Sequence, residues 1–79
     1  MVKNVILYRT EMCIWCHRVK EFFDENKVKY KEIYVDRDHE KAKEMIKKSR
    51  QTGVPVIDVD GKIIVGFNKE ALKKELNIK

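Results

Sequence analysis

The dipeptide Asp60-Gly61 separates two β-rich runs, residues 54–59 (VPVIDV) and 62–65 (KIIV). A two-residue Asp-Gly loop between such runs signals a hairpin, because the tight turn that matches strand twist needs positive φ. The last two strands of this chain are therefore antiparallel neighbours. The upstream half reads differently. Residues 5–8 (VILY) form a continuous apolar run, as in a central strand covered on both faces. Residues 9–12 form a short loop. From Cys16 the apolar positions recur as Val19, Phe22 and Phe23, which is helical spacing, and this helix should end near Asn26. Tyr30, Ile33 and Val35, interleaved with Lys31, Glu32 and Asp36, read as a second strand. A strand–helix–strand of this length implies a right-handed parallel crossover. Asp38 is placed to cap a second helix, with Glu40 in its first turn and Ala42, Met45, Ile46 and Ser49 on one face. Asn68 caps a last helix that turns Ala71, Leu72 and Leu76 inward. The order βαβαββα predicts an α/β fold: a four-stranded mixed sheet with helices on both faces.

Seventy-nine residues suit one domain, spanning residues 1–79. A hydrophobic share of 43% separates the chain from disordered sequences, and no repeat or linker interrupts it. Charged residues reach 39%, which suits a highly soluble surface and equally the ion-pair networks of a thermophile. The net charge of +5 does not form a nucleic-acid stripe. Lys3, Lys20, Lys27, Lys31, Lys43, Lys62 and Lys73 are spread out among acids, and Glu44 to Lys48 is an ordinary i,i+4 helix pair. The charge favours acidic protein partners instead. The segment MVKNVILYR is too short and too soon charged for a secretory signal, and no apolar run reaches a membrane span. The expected setting is cytoplasmic, with a monomer the default at this size. There, two close cysteines are catalytic or metal-binding more often than structural. A bridge across a two-residue gap also constrains little chain.

Cys13 and Cys16 stand in the string CIWCH. Such a string can be a thiol–disulfide centre, half of a metal site or the attachment signature of a c-type haem. Cys13 falls where the first strand ends and the first helix begins, so its sulfur meets unpaired N–H groups and the positive end of the dipole. That setting favours the thiolate, which is the nucleophile. Cys16 lies one turn further in, on the face that continues into Val19 and Phe23, and should be shielded. Cys13 would attack a substrate disulfide and Cys16 would resolve the mixed disulfide. Trp15 should be exposed beside Cys13, either packing on substrate or covering the loop. Ile14 is unusual for a solvent-facing turn and is a second candidate partner contact. Pro55, the single proline, follows Thr52-Gly53-Val54. If cis, it directs the Val54 backbone toward Cys13, where an extended substrate can pair as an added strand. If trans, it simply opens an edge strand. Arg9, Arg18 and Lys20 can lend positive charge to the thiolate, although each reads first as a solvated surface charge. Glu11 would oppose them. His17 and His39 read as surface residues.

The stretches YRTEMCIWCHRVKEFF and TGVPVIDVDGKIIVGF resemble the glutaredoxin branch of the thioredoxin fold, over nearly the whole chain. Within it the chain is most similar to small glutaredoxin-like proteins and NrdH-type redoxins. The resemblance implies Cys13 as nucleophile, Cys16 as resolver, a cis Pro55, and Thr52, Gly53 and Val54 in the substrate groove. Gly66-Phe67 resembles the NrdH-type redoxins, which draw electrons from thioredoxin reductase. Departures bear on the donor. Glutathione-binding members carry Lys or Arg three residues before the first cysteine, where this chain has Thr10 with Arg9 beside it. They carry Arg before the Thr-Val-Pro segment, where it has Gln51. They carry Gly-Gly and then Asp residues after the fourth strand, where it has Gly66-Phe67-Asn68-Lys69-Glu70. These changes weigh against glutathione as the dedicated reductant, though it stays a candidate co-substrate.

The haem reading fails for want of export and because Cys16 should be buried. A mononuclear zinc site needs about four ligands, which two cysteines and two distant histidines do not supply at a recognised spacing, so no metal ligand is assigned. Two other classes stay open: an iron–sulfur cluster bridging a glutaredoxin-like dimer, and a non-catalytic thioredoxin-fold binding module. The reading that accounts for most residues is a dithiol–disulfide oxidoreductase with no bound cofactor. Its site is Cys13 and Cys16, with Trp15, Thr52, Gly53, Val54, Pro55, Gly66 and Phe67 toward substrate and Arg9 and Thr10 around the thiolate. Its partners would be disulfide-containing proteins, ribonucleotide reductase among the candidates. Its electron source would be thioredoxin reductase or glutathione.

Overall fold

The computed structural model describes residues 4–78; the ends of the expected 1–79 domain, Lys3 among them, lie outside the described residues. The elements are β1 (Val5–Arg9), α1 (Ile14–Glu25), β2 (Lys31–Tyr34), α2 (His39–Ser49), β3 (Val56–Val59), β4 (Lys62–Val65) and α3 (Lys69–Leu76). They form one sheet in the order β2-β1-β3-β4. β1 runs parallel to β2, in register Leu7↔Glu32 and Arg9↔Tyr34. It runs antiparallel to β3, in register Tyr8↔Val56. The β3–β4 pair is antiparallel, and its turn has φ 49 at Asp60 and 92 at Gly61, the positive pair the dipeptide required.

Alternation along the strands divides the core in two. Val5, Leu7, Ile57, Val59 and Ile64 meet Val19, Phe22 and Phe23 of α1 and Leu72 of α3 on one face. Tyr8, Ile33 and Val56 meet Met45 of α2 on the other. Each such fully buried side chain contributes about 1.5–3 kcal/mol of burial. The α2 face also carries a polar bond set. Lys48 Nζ donates to Tyr8 Oη and to Asp58 Oδ2, both at 2.8 Å, and Tyr8 Oη donates to Glu44 Oε2 at 2.6 Å. Asp58 Oδ1 accepts the Gly61 N–H at 2.7 Å, which ties the hairpin turn to α2. No buried side-chain nitrogen or oxygen among the described residues lacks a partner.

Several expectations need correction. Arg9 belongs to β1 rather than to a loop, and it is 2% exposed rather than solvated. Glu32 across the parallel ladder supplies its counter-charge at 3.2 Å. The second strand is shorter than its alternation suggested, with Tyr30 and Val35 flanking it and packing on opposite core clusters. The third strand starts at Val56, since Pro55 has no N–H for the ladder. The Val54–Pro55 bond is cis, and β3 lies inside the sheet, so the edge-strand reading of Pro55 falls. Ile46 is exposed: it follows Met45, the residue α2 presents to the sheet, and one residue turns 100° around a helix.

Candidate active site

Three chain segments converge at one end of the sheet. β1 leaves it toward Cys13, β3 enters it from Pro55, and β4 leaves it at Gly66, whose N–H donates to Pro55 O at 2.9 Å. Cys13 is the N-cap of α1. Its backbone is extended, at φ −142 and ψ 105, and its Sγ accepts the Cys16 N–H at 3.1 Å. The first turn of α1 holds no acidic residue, so no carboxylate competes with the sulfur for the helix end. Cys13 and Cys16 are joined as a disulfide, with Cα atoms 5.2 Å apart. Cys13 is partly exposed and Cys16 is 0% exposed, so the Cys16 sulfur is closed off from the surface. Among the described residues no group of three or more His, Cys, Asp or Glu is placed to hold a metal ion.

The loop before Cys13 is fastened from two sides. Arg9 Nε donates to Thr10 O at 3.2 Å while Arg9 Nη1 meets Glu32. The Glu11 N–H donates to Asp36 Oδ2 at 3.3 Å, and Arg37 Nη2 donates to Glu11 Oε2 at 2.6 Å. The Glu11 charge that was expected to oppose the thiolate is thus countered by Arg37, whose own pKa is raised by that hydrogen bond. Lys20 is drawn toward Glu32, at 3.5 Å. Arg18 and His17 are exposed on α1, and His39 is exposed at the start of α2.

Trp15, Val54, Pro55, Gly66 and Phe67 line one groove of about 260 Å³. Five of the seven residues expected to face substrate are therefore brought together. Thr52 and Gly53 are exposed beside the groove without lining it. Trp15 is 60% exposed. Its ring lies 6.4 Å from that of Phe67, which stands edge-on to Phe22 at 6.0 Å, so aromatic contact runs from the groove into the core. Met12 and Ile14, 94% and 74% exposed, flank Cys13 with further apolar surface. Met12 went unread because a single exposed methionine carries no pattern. Gln51 does not face the groove. Its Nε2 donates to Gly53 O at 2.9 Å and its Oε1 accepts from Gly53 N at 2.8 Å, an arrangement no sequence spacing announces.

No helix among the described residues is long and apolar enough to cross a membrane. Residues 5–64 match the glutaredoxin family model. A curated relative, the uncharacterized glutaredoxin-like 8.6 kDa protein in the rubredoxin operon of Clostridium pasteurianum, is 41% identical over 68 residues, covering 86% of this chain and 91% of that protein. Glutaredoxin 3 of Escherichia coli K12 is 40% identical over 63 residues, covering 80% and 76%. Among solved structures, a mutant of the thioredoxin-like protein BC3987 superposes with a TM-score of 0.91 at 30% identity, over 96% of this chain and 97% of that one. The fold is the thioredoxin fold, and the cysteine pair at the first helix start has a thiol–disulfide redox role: this chain belongs to the glutaredoxin family.

Proposed function

We propose that the protein is a dithiol–disulfide oxidoreductase in which Cys13 is the nucleophile and Cys16 the resolver. One observation carries the assignment: Cys13 caps the helix start with its sulfur and is partly exposed, while its bonded partner is fully buried. In the reduced protein the Cys13 thiolate attacks one sulfur of a substrate disulfide. A Cys13–substrate mixed disulfide forms and the other substrate sulfur leaves as a thiolate. The Cys16 thiolate then attacks Cys13 Sγ and releases the second substrate thiolate. Two electrons pass to the substrate, and the chain is left as the Cys13–Cys16 disulfide.

Substrate lies in the Trp15–Phe67 groove, with its backbone pairing to Val54 as an added strand. The partners are disulfide-bearing proteins that present apolar surface to Met12, Ile14 and Trp15, and ribonucleotide reductase is one candidate. The chain acts as a single cytoplasmic domain, a monomer without a bound cofactor. Thioredoxin reductase is the favoured electron source. Thr10 and Lys69 stand where glutathione-binding members differ, and both polar ends of the Gln51 amide are engaged by Gly53. The deciding assay follows NADPH consumption during reduction of a small disulfide, coupled either to thioredoxin reductase or to glutathione with glutathione reductase. Turnover in the first arm alone is expected. Turnover in the second alone would overturn the donor assignment, and turnover in neither would overturn the oxidoreductase itself.

A further inference from the structure

The segment between α2 and β3 has no regular secondary structure, yet it delivers Val54 and Pro55 to the groove. Side chains replace the missing ladder. α2 ends at Arg50 in the left-handed region, φ 60. Ser49 Oγ lies 2.7 Å from Met45 O and 3.1 Å from Gln51 O, so its one proton ties the helix end to the next residues. Gln51 then closes on Gly53 with both ends of its amide, as a neighbouring strand would. A Cβ on residue 53 would lie 2.9 Å from Gln51 Oε1, so any larger residue there would push the amide out of this position. Val54 follows, and its backbone N–H and C=O make no hydrogen bond within the described residues.

The Gly53 carbonyl and the Val54 N–H belong to one planar trans peptide and point in opposite directions. Holding the carbonyl therefore aims the N–H. We infer that Gln51 is a positioning residue: by fixing the Gly53–Val54 peptide plane it presents the Val54 N–H to the backbone of an incoming disulfide segment. This rests on the reading that substrate pairs with Val54. The preference it creates is for disulfides embedded in an extended peptide, since a small disulfide has no backbone to receive that N–H.

The test compares the pre-reduced protein with Gln51→Ala and Gln51→Glu in single turnovers. One substrate is a peptide disulfide flanked by several residues, and the other is 2-hydroxyethyl disulfide. Loss of the clamp should raise the half-saturating peptide concentration about tenfold while the maximal rate stays within about twofold. Rates on 2-hydroxyethyl disulfide should stay within about twofold. Gln51→Glu should behave like Gln51→Ala, because a carboxylate cannot donate to the Gly53 carbonyl. Equal losses on both substrates, or no loss on the peptide, would overturn the inference. Amide hydrogen exchange tests the clamp apart from activity. Gly53 should be protected in the parent protein and unprotected in Gln51→Ala, and an unprotected Gly53 in the parent would overturn the inference even with turnover intact. A parent that reduces neither disulfide would instead remove the substrate reading on which it rests.

Discussion

The starts of α1 and α2 share one backbone geometry and differ in what they hold. Cys13 caps α1 at φ −142 and ψ 105, and Asp38 caps α2 at φ −135 and ψ 100. At Asp38 a carboxylate accepts the N–H groups of Glu40 and Lys41, and Glu40 adds negative charge to the first turn. At Cys13 the acceptor is sulfur, the first turn has no acid, and the next two side chains are exposed apolar ones. α3 follows the α2 pattern, with Asn68 as cap and Glu70 behind it. Two helix starts satisfy their own dipoles. The third leaves its positive end to a reactive atom. Helix stability and thiol chemistry are thus assigned to different ends of the same kind of structure.

Exchanging features between the two ends tests this. The largest effect belongs to Cys13→Ser, which should lower disulfide turnover by at least about a thousandfold. The reduced variant should keep its stability within about 1 kcal/mol, since a hydroxyl is a good N-cap. The coupled assay and a urea melt under reductant read the two, and retained turnover would sink the assignment. Next, Ile14→Glu gives α1 the acid that α2 already has. It should slow alkylation of reduced Cys13 by iodoacetamide about threefold to tenfold, while stabilising the helix by about 0.3–1 kcal/mol. An unchanged alkylation rate would mean that the helix end does not act on the sulfur. Asp38→Ala, the converse change, should lower stability by about 1 kcal/mol and leave turnover within about twofold. The smallest effect is on pH. The Tyr8 hydrogen bond holds the Glu44 carboxyl below its ordinary 4.5, and burial, then Glu44, raises Tyr8. A depressed carboxyl adds stability that is present above its unfolded pKa and lost as pH falls through the folded one. Urea midpoints should therefore decline on acidification below pH 4.5, with a shallower decline in Glu44→Gln.

Legibility in the sequence followed the range of the forces involved. The β4 strand and its turn were readable to the residue, because Asp60-Gly61 fixes backbone dihedrals locally. The caps at Asp38 and Asn68 were readable for the same reason. The cysteine chemistry could be read because spacing alone puts Cys16 on the buried face. Arg9 was misread because its partner, Glu32, lies across the sheet, and a charge at a strand end looks solvated until that partner is known. The Gln51 clamp was unread because glutamine has no preferred role in a loop; only the path from Arg50 to Gly53 gives it one.

Arg9 has a consequence beyond its own neighbourhood. It shares a sheet face with Leu7, and the parallel register sets Glu32 beside Leu7, where its carboxylate meets both Arg9 and Lys20. Side chains alternate with a period of two, so sliding β2 by one residue would turn Glu32 to the α2 side. That slip would strand a guanidinium in the interior without its counter-ion, a far heavier penalty than a lost surface pair. An apolar pair there would tolerate the wrong alignment, whereas this one admits a single setting. The two charges thus act as a key cut for one lock, and they set β2 against β1, the strand that carries the chain on to Cys13.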